Sequence, residues 1–286
     1  MTFHAASREA YAAAEQALLA ALSAKPKTRS KAAAAAASAS RASTIGEELF
    51  AVVGLLDGQV GLRRALADAS AEPSRRQGLL SGLLAGKVGD ATLSVLSEVV
   101  GARWSSPRQL TDGIELLGQT ALLAHAEQEG RLDAVEDELF RFGRIVAGSG
   151  ELEQALSDRA APVSGKASLI TELLGDKVDD VTVTLVRQLV TVPRGRGLVT
   201  GLADLAEAAA TRRERSVAYV VSAGPLSEQQ QERLAVTLQR VYSRPIALHV
   251  EVDPDLQGGL VIRVGDEVID GSVTGRLDEL RRRLAG

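Results

Sequence analysis

The feature that most restricts the fold is an internal repeat. From Ile45 to about Val190 the chain matches itself at an offset of 90 residues. Glu48-Leu49-Phe50 returns as Glu138-Leu139-Phe140, Ala65-Leu66 as Ala155-Leu156, and Asp68 as Asp158. Leu83-Leu84 returns as Leu173-Leu174, Lys87-Val88 as Lys177-Val178, Asp90 as Asp180 and Thr92 as Thr182. After a two-residue slip, Arg108, Leu110 and Gly113 align with Arg196, Leu198 and Gly201. In a chain that is 45% hydrophobic, shared Leu and Ala would carry little weight. Matching Glu, Asp, Lys and Phe at one offset, with Arg and Gly following after the slip, identify a duplication, so the middle of the chain must fold as two similar units.

Each copy has apolar residues at helical spacing. Residues 5–22 read as an opening helix with Tyr11, Leu18, Leu19 and Leu22 on one side. Residues 23–42 are Ala-rich, with Lys25, Lys27, Arg29, Lys31 and Arg41 and no acid. They read as a flexible or partly helical linker, with a basic surface-binding arm as the alternative. Thr44-Ile45-Gly46-Glu47 has the form of a capping box opening a helix with Ile45, Leu49, Val52, Val53 and Leu56 on one face. In the second copy that face is Leu132, Val135, Leu139 and Phe142. A longer helix from about Gln109 to Glu129, with Leu110, Ile114, Leu117 and Ala121 at 4-3-4 spacing, is placed to close the first bundle and open the second.

After about Arg215 the period changes. Val217–Val221 and Ile246–Val252 read as strands, separated by a helix that Ser227 and Gln230 open as a capping box. Leu260–Val264 and Glu267–Asp270 flank Gly265-Asp266, a two-residue hairpin turn, and Ser272 caps a last helix. The expected fold is mainly α: two tandem helical-bundle repeats followed by a small α+β C-terminal module. The expected domains are 1–42 (opening helix and Ala-rich basic linker), 43–125 (helical repeat 1), 126–215 (helical repeat 2) and 216–286 (α+β module).

Composition excludes several kinds of chemistry. The 286 residues carry a net charge of −4, which speaks against nucleic acid as the main partner, and no cysteine, which removes disulfides, thiolate metal sites and Cys nucleophiles. Charges interrupt every apolar stretch long before the ~20 residues of a membrane span, and Arg8, Glu9 and Glu15 break up the opening stretch where a signal peptide would be apolar. His4, His125 and His249 lie in different segments without metal-ligand spacing. Gly86-Lys87 and Gly165-Lys166 fail as phosphate loops because Val88 and Ala167 stand where Ser or Thr must hold magnesium. The stretch from Asp253 fails as a calcium loop at Gln257 and Val264. Asp179-Asp180 and Glu136-Asp137-Glu138 read as a helix start and a solvated face. Pro193–Gly197 reads as an exposed turn, with an anion grip as the alternative. No catalytic, cofactor-binding or metal site is expected.

The most specific pattern is GGLVIRVGDEVIDGSVTGRLDELRRRL at 258–284, joined by VVSAGPLSEQQQERL at 220–234. Together they strongly resemble the delta subunit of the F-type ATP synthase, whose mitochondrial equivalent is the oligomycin-sensitivity-conferring protein. Gly258, Gly259, Gly265, Asp266, Asp270, Gly271, Ser272, Arg276 and Leu277 occupy the places of that family's Gly-Gly pair, Gly-Asp turn, Asp-Gly-Ser and Leu-rich helix. The resemblance covers nearly the whole chain; the doubled helical part marks it as similar to a longer form of the family. It implies a non-catalytic peripheral-stalk subunit that needs no cofactor and lies at the cytoplasmic face of a bacterial cell membrane. It implies two partners, the N-terminal helix of the alpha subunit and the C-terminal segment of the membrane-anchored b subunit, with the membrane met only through b. The expected b contact is the 4-3-4 seam Val273, Leu277, Leu280 and Leu284; the same seam packing on its own sheet is the competing reading. The expected alpha groove lies beside the helix of Tyr11 and Leu18 with the Leu93–Val100 helix, or else beside Leu117 with the Leu185–Val190 helix. A free-standing helical-repeat adaptor is the alternative function; it explains the duplication but not the C-terminal pattern.

Overall fold

In a computed structural model, residues 3–24, 31–215, 217–242, 246–253, 256, 258–265 and 267–273 are described. The chain divides into two compact units, Met1–Ala209 and Ala210–Gly286.

The first unit is helical: α1 (Ala5–Ser23), α2 (Lys31–Gly58), α3 (Val60–Leu66), α4 (Pro73–Leu84), α5 (Asp90–Gly101), α6 (Pro107–Gln128), α7 (Leu132–Gly148), α8 (Gly150–Ser157), α9 (Val163–Leu174), α10 (Asp180–Thr191) and α11 (Leu198–Arg215), with a 3-10 turn at Gly175–Lys177 before α10. The helices α4 and α9 start and stop at positions 90 apart, and α3 and α5 match α8 and α10 to within a residue. The repeated polar residues account for this. Glu48 on α2 accepts from the backbone N–H of Gly89 at 2.9 Å and from the Thr92 hydroxyl, satisfying the free amide ahead of α5. Glu138 on α7 does the same ahead of α10, accepting from Asp179 N at 3.0 Å and from Thr182 Oγ1 at 2.6 Å. The Asp68 carboxylate takes the N–H of Ser70, and Asp158 that of Ala160, at 2.9 and 2.8 Å.

Two apolar clusters form the core of this unit. The first draws Leu18 from α1, Ile45, Leu49 and Leu56 from α2, Leu80 from α4, Leu96 from α5 and Leu110, Ile114 and Leu117 from α6. The second joins Leu122 and Leu123 of α6 to Val135, Leu139, Ile170, Val186, Leu202 and others of α7–α11. Each large aliphatic side chain buried in this way contributes about 1.5–3 kcal/mol. Thus α6 belongs to both bundles: Leu110, Ile114 and Leu117 lie in the first core, and beyond them Ala121 and Ala124 face the first core while Leu122, Leu123 and Ala126 face the second. The α2–α6 crossing is close: a Cβ on Gly46 would lie 3.1 Å from the Gly118 carbonyl oxygen, and one on Gly118 would lie 2.8 Å from the Phe50 ring.

One sequence expectation fails here. Thr44 opens no helix, because α2 already runs from Lys31. The Ala run has the highest helix propensity and contains no Gly or Pro, so the helix continues through it. Thr44 sits inside, its hydroxyl donating to Ser40 O at 2.9 Å, and Glu47 accepts from Ser43 one turn earlier at 3.0 Å. Residues 25–30 of the expected linker lie outside the described residues.

In the second unit the described strands β1 (Val217–Ser222), β2 (Ala247–Val252), β3 (Leu260–Val264) and β4 (Glu267–Asp270) form one sheet in the order β2-β1-β3-β4. The β1–β2 pair is parallel, connected through α12 (Glu228–Tyr242); the other two pairs are antiparallel. The expected capping box opens α12: Ser227 N donates to Gln230 Oε1 at 2.9 Å and Gln230 N to Ser227 Oγ at 3.3 Å. Ala218, Val220, Ile262 and Val264 on one sheet face pack with Leu238 of α12.

Candidate partner-binding surfaces

The C-terminal motif residues serve the backbone. Gly258 and Gly259 adopt φ of +88° and +87°, a region that side chains disfavour, and a Cβ on Gly259 would lie 2.4 Å from Gly271 O. That close approach lets Gly271 N donate to Leu260 O at 2.8 Å and Val273 N to Gly258 O at 3.1 Å, tying the start of the last segment to β3. Asp270 accepts from Ser272 N at 2.9 Å, and the Ser272 hydrogen bonds hold its carboxyl below the usual range. Gly265, at φ +57°, begins the two-residue connection between the paired Val264 and Glu267. Of the expected b-contact seam, Val273 is 44% exposed, while Leu277, Leu280 and Leu284 lie outside the described residues, as do Asp266 and Arg276. The sheet face opposite α12 carries a row across all four strands, His249, Tyr219, Arg263 and Val268, of which the sequence pattern marks only His249, as a surface or rim residue of its strand. Tyr219 stands 5.6 Å from His249, ring centre to ring centre.

In the helical unit, α1 packs on α5 and α6, and the expected pair of α1 residues divides. Tyr11 is half-buried beside Phe3, with ring centroids 5.5 Å apart, and borders the surface. Leu18 is fully buried in the first core. Leu117 is fully buried there too.

Exposed apolar side chains point elsewhere: Leu79 and Leu83 one turn apart on α4, and Phe140 with Ile145 on α7. The repeat makes Phe140 informative. Its counterpart Phe50 is 6% exposed because it is packed within the second cluster and against Gly118; Phe140 is 60% exposed. Periodicity could not separate the two, since they occupy the same place in each copy and differ only in what covers them.

Two ion-pair clusters complete the geometry. Asp179 caps α10 through Val181 N, and Arg131 bridges Asp179, Asp180 and Glu129. The Arg131 hydrogen bond pulls Asp180 down to about 2, whereas burial raises Asp179. The second cluster corrects the expectation of an exposed turn at Pro193–Gly197 in part: Gly195 and Gly197 are exposed, but the arginine side chains turn inward. The Arg194 guanidinium is buried against Asp112 and Glu115 of α6, and Arg196 pairs with the other oxygen of Glu115. Burial raises Glu115, opposed by Arg196, and lowers Arg194 to about 10. Both carboxylate oxygens of Glu115 therefore receive guanidinium donors, and the loop's two arginines are taken by the chain's own acids. Among the described residues no group of three or more His, Asp and Glu is placed to hold a metal ion, and no helix is long and apolar enough to cross a membrane.

Known proteins resemble the chain along its length. The family described as ATP synthase delta (OSCP) subunit matches residues 119–284, which begin inside α6 and take in the second bundle and the C-terminal unit. ATP synthase subunit delta of Nocardia farcinica is 49% identical over 285 residues, 99% of this chain and 100% of its own length. That of Rhodococcus opacus is 46% identical over 99% of both chains, and that of Thermobifida fusca 49% identical over 86% of this chain and 92% of its own. The full-length matches include the first bundle, so the longer form is shared. The chain belongs to the ATP synthase delta (OSCP) subunit family.

Proposed function

We propose that this chain is a peripheral-stalk subunit of a proton-translocating F-type ATP synthase. It links the catalytic head, through the alpha subunit's N-terminal helix, to the membrane-anchored b subunit, and it resists rotor torque without catalysing a reaction itself. Its place is the cytoplasmic face of a bacterial cell membrane, reached through b. The family membership carries this reading, and the continuous α6 shared by both cores supports it physically, since a stator must transmit force without yielding. Each charge crossing ~100 mV releases about 2.3 kcal/mol, so a few per catalytic step store on the order of 10 kcal/mol. Partner contacts of comparable strength correspond to nanomolar affinity, about 12 kcal/mol, which helix-in-groove docking reaches by burying apolar area.

The seam from Val273 through Leu277, Leu280 and Leu284 belongs to the b contact, and the α1–α5 side bordered by Tyr11 to the alpha contact. The extent of the family match favours a second placement for alpha, on α6 and α10 of the second bundle, because α1–α5 precede residue 119. Two experiments test these assignments. Co-purification of the full chain with alpha and b separates the stalk role from a free-standing helical adaptor, which retains neither. With Leu280→Asp and Leu284→Asp combined, b binding is lost; unchanged binding by a folded chain refutes the seam. Replacing exposed residues of α1 or α10 separately and measuring affinity for the alpha peptide identifies the bundle used.

A further inference from the structure

The loop between α10 and α11 joins two helices of the second bundle, yet its contacts are with the first. Val192 packs against the first cluster. Arg194 reaches Asp112 and, at 2.8 Å, Glu115, both on the half of α6 whose apolar side chains fill the first core. Arg108, near the start of α6, donates to Arg194 O at 2.6 Å, and Arg196 completes the pairing of Glu115. Arg194 is the one non-glycine described residue with positive φ, +50°, so the loop holds a strained backbone while making these bonds.

Apolar side chains would fill this space at less desolvation cost than two arginines and two acids. Ion pairs with both carboxylate oxygens occupied add direction: they are satisfied at one orientation only. The opposite reach exists as well, Phe50 of α2 lying in the second cluster. The geometry points to a clasp: the Arg194–Glu115 cluster fixes the angle between the two bundles, which without it would flex about α6. This concerns the chain alone and does not depend on which partners it binds.

The chain has no cysteine, so Ser74→Cys and Ser164→Cys, exposed and equivalent positions on α4 and α9, give a clean spin-label pair in the full protein. Double electron–electron resonance should return one narrow distance distribution. Arg194→Gln should at least double its width while far-UV circular dichroism keeps its helical signal. If that variant does not fold, Arg196→Gln, which removes one arm of the cluster, decides the matter by the same broadening. Glu138→Ala weakens a cap within the second bundle and should leave the width unchanged. Unaltered width in the folded arginine variants, or equal broadening in Glu138→Ala, overturns the clasp.

Discussion

Gly113, on the shared helix α6, tests how tightly the first core is set. A Cβ at this position would lie 2.3 Å from Trp104 Cη2 and 2.7 Å from Cζ3, far inside contact distance. The indole has little freedom to retreat. Its Nε1–H donates to Val99 O at 2.7 Å, its edge meets Phe3 at 6.0 Å between centroids, and it is buried. Overpacking of this kind costs about 1–3 kcal/mol, whereas Gly→Ala in a helix returns about 1 kcal/mol. With the ring pinned the steric cost lies at the upper end of that range, about 2–3 kcal/mol, and Gly113→Ala should lose roughly 1–2 kcal/mol. In a unit of this size that lowers Tm by about 2–8 °C. Gly54→Ala on α2, with nothing within 4 Å of its Cβ, is the control and should gain up to about 1 kcal/mol. Trp104 is the chain's single tryptophan, so its fluorescence during thermal unfolding reports on this core directly. A Gly113→Ala protein as stable as the parent would refute the described α6–Trp104 packing.

Further outcomes follow from the same geometry. Glu48→Ala and Glu138→Ala should each cost about 1–2 kcal/mol by uncapping α5 and α10; hydrogen exchange should quicken at Gly89 in the first variant and at Asp179 in the second, with neither affecting the other bundle. Gly259→Ala should destabilise the C-terminal sheet by more than about 1 kcal/mol, because the backbone must leave φ +87° or push Gly271 away, and exchange of β1 and β3 amides would show it. Asp180, held at about 2 in the fold against an ordinary 3.8, contributes stability that is complete above pH ~4 and lost as pH falls towards 2. Because that side chain is largely exposed, screening keeps the contribution below about 1 kcal/mol. Asp180→Asn should flatten this acid limb in a series of melts, and a limb identical to the parent's would remove Arg131 from the explanation.

Signals that depend on near neighbours were legible in the sequence. The Ser227/Gln230 box, the Gly265 turn and the helices of both copies follow from spacing, caps and breakers within a few residues. The repeated Glu48/Glu138 and Thr92/Thr182 marked a duplication, and the structure adds their task as reciprocal caps between helices. The Thr44 box was a false local signal, overridden by the Ala-rich helix running through it. Arg194 finds its acids about 80 residues away, a pairing that no local pattern encodes. Phe50 and Phe140 look alike in sequence and differ because only one is covered in the fold.

Native mass spectrometry of the full chain, mixed with the alpha N-terminal peptide and the b C-terminal segment, tests the bridging role most directly. A complex holding one copy of each is the expected species, with both ligands bound to the same chain. If the chain binds neither, or if one ligand displaces the other, it is not the link between head and membrane arm.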